Sequence, residues 1–192
     1  MGIAEIFMIG AGLSMDAFAA SVCKGLSAER INPKNAVITG LYFGGFQAGM
    51  PLLGYFLGTG FKDAIMSIDH WIAFILLLLI GLNMIKESRE KEDCGCDKGE
   101  ETELFSPKEL LPLAVGTSID ALAVGVSFAF LNVNIITAVC LIGVTTFVFS
   151  ALGVGAGSRL GMRFKSWAEF AGGLILILMG TKILLEHLGF LG

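Results

Sequence analysis

The chain has 192 residues, of which 55% are apolar and 16% charged, with 26 glycines outside the apolar set and a formal net charge of -4. Soluble proteins carry about 25% charged residues, and a globule of about this size buries only roughly 70% of its unfolded surface. A mean hydropathy of +0.79 therefore excludes a soluble domain, the apolar content excludes a disordered chain, and the negative charge without a basic stripe excludes a nucleic-acid binder. An all-α integral membrane protein, with the lipid bilayer as its first partner, remains.

Six apolar stretches follow in chain order: Ile3–Leu26, Ala36–Leu57, Trp71–Ile85, Leu110–Leu131, Ile135–Gly157 and Trp167–Leu185. A helix needs about 20 residues to cross a hydrocarbon core of about 30 Å. Five stretches reach that length; the third is short and would rely on Asp69, His70 and Lys86 snorkelling to the interface. No ten-residue alternation supports a β-barrel. The first stretch has no basic leader or small-residue cleavage site and carries Asp16 in its middle, so it reads as a retained helix rather than a signal peptide.

Eleven of the 13 basic residues fall on the side of the first, third and fifth connections: Lys24, Arg30, Lys34, Lys86, Arg89, Lys91, Lys98, Lys108, Arg159, Arg163 and Lys165. The positive-inside rule makes that side cytoplasmic and puts both termini outside. The connection 87–109 is the one long polar segment and reads as an acidic, solvated cytoplasmic linker. Its Cys94 and Cys96, beside Asp93 and Asp97, form a C-x-C too unspecific to establish a metal site. Cys23 and Cys140 fall in apolar helices and read as small packing residues, and a cytoplasmic linker disfavours a disulfide.

The chain repeats itself. Ser14-Met15-Asp16-Ala17 aligns with Ser118-Ile119-Asp120-Ala121, Phe46-Gln47 with Phe149-Ser150, Gly54 and Gly58 with Gly157 and Gly161, Gly81 with Gly180, and Glu87 with Glu186. Residues 1–86 and 110–192 then form two three-helix repeats. An odd number of spans makes them inverted, a pattern of secondary transporters with a substrate site near the midplane. Gly45-x-x-x-Gly49, Gly54-x-x-x-Gly58 and Gly153-x-x-x-Gly157-x-x-x-Gly161 fit close helix packing, within or between chains alike. Pro51 removes one backbone hydrogen bond from the second helix and is expected to kink it beside Gln47.

Asp16 and Asp120 both fall near the bilayer centre, Asp120 about 15 Å into a fourth helix that starts at Leu110. Each ionised Asp there costs about 2.5–3.5 kcal/mol on the insertion scale, so an intramembrane acid is a functional candidate. No Lys or Arg lies at that depth, and Lys182 is too near the end of the sixth helix to pair with either acid. A bound divalent cation would supply the positive charge. Ser14, Thr117, Ser118, Gln47, Ser150 and backbone carbonyls near Pro51 are oxygen donors, which suit Mg²⁺, Ca²⁺ or Mn²⁺ better than zinc or copper. His70 and His187 read as interfacial, and Met15 as packing.

At these residues the sequence resembles the manganese efflux pump family, MntP type. The resemblance rests on LSMDAFAASVCKG, TSIDALAVGVSFAFLNVN, DHWIAFILL and the closing KILLEHL. It implies a six-span exporter of Mn²⁺ in a bacterial inner membrane, with Mn²⁺ as substrate and no prosthetic group. The family's intramembrane aspartates carry over to Asp16 and Asp120; some relatives have Glu where this chain has Gln47, so here a neutral amide would serve.

Export of two charges against a negative interior costs roughly 4.6 kcal/mol per 100 mV. No G-x-x-x-x-G-K-[ST] run exists to use ATP, so an ion gradient is the expected source, with protons competing for the two acids and the two inverted halves rocking about the site. Three rivals are an intramembrane aspartyl protease, an exporter of another divalent cation or small cationic solute, and a structural membrane protein. The first lacks a G-x-G-D run, a zwitterionic solute would lack a midplane Arg for its carboxylate, and the third leaves the acids unexplained.

Overall fold

The computed structural model describes residues 2–28, 32–60, 69–89, 104–131, 133–160 and 162–188. Among them the chain forms seven helices: α1 (Ile3–Ser27), α2 (Pro33–Thr59), α3 (Asp69–Glu87), α4 (Pro107–Gly116), α5 (Ile119–Phe130), α6 (Ile135–Leu160) and α7 (Met162–His187). The linker cysteines Cys94 and Cys96, and the side chains of His70 and His187, lie outside the described part. Helix starts follow local chemistry. The Asn32 side chain accepts a hydrogen bond from the Lys34 amide (3.1 Å), and Asn134 does the same for Thr137 (3.2 Å); Pro33 and Pro107 occupy first-turn positions that need no amide donor.

Helices α1, α2, α6 and α7 are long and apolar enough to cross a membrane, α4 with α5 makes a fifth, bent span, and α3 carries a shorter apolar run, Trp71–Lys86. The bent pair corrects the expectation of one unbroken helix from Leu110 to Leu131. The helix stops after Gly116 and restarts at Ile119 with a 42° bend. Gly116 weakens the helix there. The Ser118 amide bonds back only three residues, to the Val115 carbonyl (3.1 Å), and the Ser118 hydroxyl reaches the Ala114 carbonyl (2.6 Å). These bonds satisfy the end of α4 locally, so the chain can turn without leaving carbonyls bare in hydrocarbon.

The packing forms a closed ring. Helix α1 packs on α6 and α7, α2 packs on α6 and on α4–α5, and α3 packs on α5 and α7. Going round it (α1, α6, α2, α4–α5, α3, α7), helices from the first and second halves of the chain strictly alternate. An apolar core of Leu13, Leu77, Met84, Val124, Ile142 and Leu176 ties five of these helices together.

Glycine sets the closest approaches. A Cβ on Gly25 would collide with the Val154 carbonyl, on Gly157 with the Val22 carbonyl, on Gly54 with the Leu122 carbonyl, and on Gly125 with the Pro51 carbonyl. Gly45 and Gly49 do none of this: nothing lies near either, and they face an open apolar groove with Leu41, Tyr42, Phe46 and Leu53. Among the described residues that glycine pair is therefore not a packing seam. Helix α2 runs on through Pro51 as one helix.

Ion pairs tie helix ends together. Lys24, 1% exposed, meets Glu109 at 3.1 Å and joins the end of α1 to the first turn of α4. Lys182 pairs with Glu5 at the start of α1 and, at 3.3 Å, with Glu186. One cysteine expectation changes: Cys140 is free and exposed on α6 rather than packed.

Gly54→Ala or Gly125→Ala forces two backbones apart and is expected to destabilise the protein by about 1–3 kcal/mol or more. Gly45→Ala meets nothing and, through helix propensity, is expected to be neutral or stabilising by up to about 1 kcal/mol. Thermal unfolding of the three variants in detergent checks this order.

Candidate metal site

The two S-x-D motifs reach the centre of the bundle on helices that run in opposite directions. Helix α1 runs parallel to α6, with Gly10 against Ile142 and Gly157 against Val22. Helix α5 runs parallel to α2, with Gly54 against Leu122 and Gly58 against Val126. Helices α2 and α6 are antiparallel, since Gly40 meets Phe147 while Ala48 meets Gly143. The two motifs thus approach a common layer from opposite ends.

That layer is polar and fully buried. Ser14, Gln47, Ser118, Thr146 and Ser150 are each 0% exposed. The Ser14 hydroxyl donates to the Gly10 carbonyl (2.6 Å) and shares a hydrogen bond with Thr146 Oγ1 (2.8 Å). The Gln47 amide bridges the halves. Its Nε2 donates to the Leu13 carbonyl (3.2 Å), and its Oε1 accepts from the Ser118 hydroxyl (2.9 Å). Gln47 also stands four residues before Pro51, so its own carbonyl lacks the usual helical donor. Thr117 Oγ1 donates to the Ala114 carbonyl (3.3 Å), at the break rather than in the layer. Ser150 Oγ is buried and makes no hydrogen bond.

Asp16 and Asp120 are half-buried and flank this layer. Each stands two residues, about 3 Å along the axis, beyond its serine. Because α1 and α5 are antiparallel, the two acids leave the layer toward opposite ends of the bundle. Asp120 is in the first turn of α5, behind the Ser118 cap, rather than deep in a continuous helix. Asp16 is in mid-helix, on a turn that Ser14 bonds back to Gly10. Among the described residues no three carboxylate, thiol or imidazole side chains converge as a metal cage. The donors on offer are two acids, one neutral amide and hydroxyls, a hard-oxygen set.

Sequence reasoning missed Thr146, whose signal was a mid-helix hydroxyl one turn before Ser150. It also missed the break at Thr117–Ser118, signalled by Gly116 directly before the motif, and the buried Glu169, 6% exposed on α7, which stands out as an acid within an apolar run.

A family described as "Putative manganese efflux pump" matches residues 30–184. Proteins named "Putative manganese efflux pump MntP" are similar over the full length. That of Desulfitobacterium hafniense (strain Y51) is 62% identical over 192 residues, 100% of this chain and 99% of its own. That of Acetivibrio thermocellus is 61% identical, covering 98% of this chain and 93% of its own. That of Campylobacter jejuni (strain RM1221) is 53% identical, covering 99% of this chain and 100% of its own. No solved structure matches. With a hard-oxygen donor set on opposed apolar helices and similarity along its whole length, the chain belongs to the manganese efflux pump family of the MntP type.

Proposed function

We propose that the chain is a secondary transporter that exports Mn²⁺ from the cytoplasm across a bacterial inner membrane. It does so through a site between Asp16 and Asp120, with Gln47, Ser14, Ser118 and Thr117 as neutral oxygen donors nearby. The observation that carries this reading is the buried polar layer in which one amide joins the two S-x-D motifs, Leu13 O to Gln47 to Ser118, in a chain of the manganese efflux pump family. The family resemblance supplies the metal and the direction.

The architecture in this reading is six spans in two inverted repeats, residues 1–86 and 110–192, joined by a cytoplasmic linker with both termini outside. Helix α3, at 19 residues, extends about 28 Å, close to the thickness of a hydrocarbon core. Exchanging the halves maps the packing onto itself. The pair α1–α6 becomes α5–α2, α1–α7 becomes α5–α3, and α2–α6 and α3–α7 map onto themselves. Two acids with neutral oxygens, and no caged ligand set among the described residues, suit a cargo that binds and leaves with part of its hydration shell better than a resident metal.

Asp16→Asn and Asp120→Asn are each expected to lower Mn²⁺ transport into inverted vesicles by about tenfold or more, the equivalent of at least about 1.4 kcal/mol, at unchanged membrane content. Full transport by both variants contradicts the site. Gln47→Leu combined with Ser118→Ala is expected to give a coupling energy of about 1 kcal/mol in unfolding, since both changes remove the same hydrogen bond; additive effects contradict the bridge. If protons are the coupling ion, an imposed gradient that drives H⁺ opposite to Mn²⁺ accelerates transport in proteoliposomes. An unchanged rate removes proton coupling and leaves another cation gradient as the source.

A further inference from the structure

The fourth span differs from its repeat mate, the first, in its leading half. The repeat that pairs Ser14 with Ser118 also pairs Glu5 with Glu109, Gly12 with Gly116 and Lys24 with Phe128. In α1 the leading half is continuous with the rest and firmly packed. A Cβ on Gly12 would press on the Leu176 side chain (3.0 Å) and the Gly172 carbonyl (3.3 Å) of α7. Ile6, Ile9 and Leu13 sit in the main apolar core together with Phe128. In the fourth span the leading half is a separate helix, α4, set off by the 42° bend. Among the described residues nothing lies within 4 Å of a Cβ on Gly116, and no close glycine–carbonyl approach involves α4. Ala114 joins α4 to the bundle in a small cluster with Ala17 and Phe43. The far end of α4 is tied by the ion pair of Glu109 with Lys24 (3.1 Å). Just ahead of it, Leu104 and Phe105 pack against Ala28 and Val154.

The two partners of that ion pair are unequal. The Lys24 side chain is 1% exposed and that of Glu109 is 57% exposed. A buried ammonium depends on its counter-charge, so whatever draws Glu109 away also releases Lys24. Lys24 stands ten residues past Ser14, about 15 Å from the polar layer, at the end that the proposed topology makes cytoplasmic. Its mate Phe128 stands ten residues past Ser118 at the other end. The two ends are thus closed differently, one by a charge pair on a separate half-helix and the other by an apolar core. We propose that α4 is the cytoplasmic door of the transport path, hinged at Gly116–Ser118 and latched by Lys24 and Glu109. The inference rests on the transporter reading above. Opening swings the start of α4 away from α1 and parts Ala114 from Ala17, the neighbour of Asp16. A fixed ammonium on that side repels an approaching dication. Unlatched, the long Lys24 side chain extends toward water and the repulsion falls. The glycine seams α1–α6, α2–α5 and α3–α7 stay closed, because each is made by residues outside α4. Hinges of this kind absorb the change in a few residues at the end of an element.

Spin labels at Leu26 and Leu111, both exposed, report the door in a full-length variant free of native cysteines, reconstituted in liposomes. A swing of about 20° moves the start of a helix about 15 Å long by about 5 Å. Glu109→Gln is expected to raise a longer-distance population severalfold, displaced by about 5 Å. The charge exchange Lys24→Glu with Glu109→Lys is expected to suppress it again. One unchanged distance in all three proteins overturns the door. A covalent latch separates a door from a static tie. When Lys24→Cys and Glu109→Cys are joined by a short reducible crosslinker, Mn²⁺ transport is expected to fall about tenfold or more, and to recover when the bridge is cut. Full transport by the bridged protein overturns the door. A distance that responds to Glu109→Gln in protein that moves no Mn²⁺ upholds the door and overturns the metal assignment instead.

Discussion

In hydrocarbon every polar group must find its partner inside the protein, and the Gln47 amide is where this constraint binds hardest. It is fully buried, it sits on a helix that already lacks one backbone donor at Pro51, and it bonds to two other helices at once. A side chain fixed at both ends of its amide holds the α1 backbone and the start of α5 in one relation. The break in the fourth span follows from the same need. By ending α4 at Gly116, the chain gives Ser118 a position from which its hydroxyl can serve Ala114 or Gln47, and it places Asp120 in the first turn of α5.

Around that layer, glycines let backbones meet directly. Lipid offers no hydrophobic drive for helices to associate, so close van der Waals packing does the holding. The glycines at 25, 54, 125 and 157 each face a carbonyl of the neighbouring helix, and in every case the neighbour belongs to the other half of the chain. Among the described residues the two halves are therefore interlocked at these approaches. Some polar contacts also cross between the halves, as Ser14 with Thr146 and Lys182 with Glu5.

Much of this was legible in the sequence. Apolar lengths located the helices to within a few residues, and the doubled S-x-D motif pointed to Ser14 and Ser118, which lie in the central polar layer. Gln47 was legible as an amide in an apolar helix. The break at Thr117–Ser118 was not, because hydropathy is continuous across it and only backbone hydrogen bonding reveals the turn. Nor was the divergence of Asp16 and Asp120 from their serines, which depends on helix direction and register. Gly45 and Gly49 carried the same G-x-x-x-G signature as Gly54 and Gly58, yet among the described residues only the latter pair meets another helix. Spacing reports that a face is smooth, not that anything lies on it. Thr146 was hidden because a single hydroxyl in a helix can always bond its own backbone.

The central claim is that the acids flanking the Gln47 layer hold a divalent cation in passage. Titration of the purified protein with Mn²⁺, followed by the electron paramagnetic resonance signal of the free ion, tests it most directly. The account predicts saturable binding that vanishes when Asp16 and Asp120 are both replaced by Asn. Binding of undiminished stoichiometry and affinity in that double variant would contradict it.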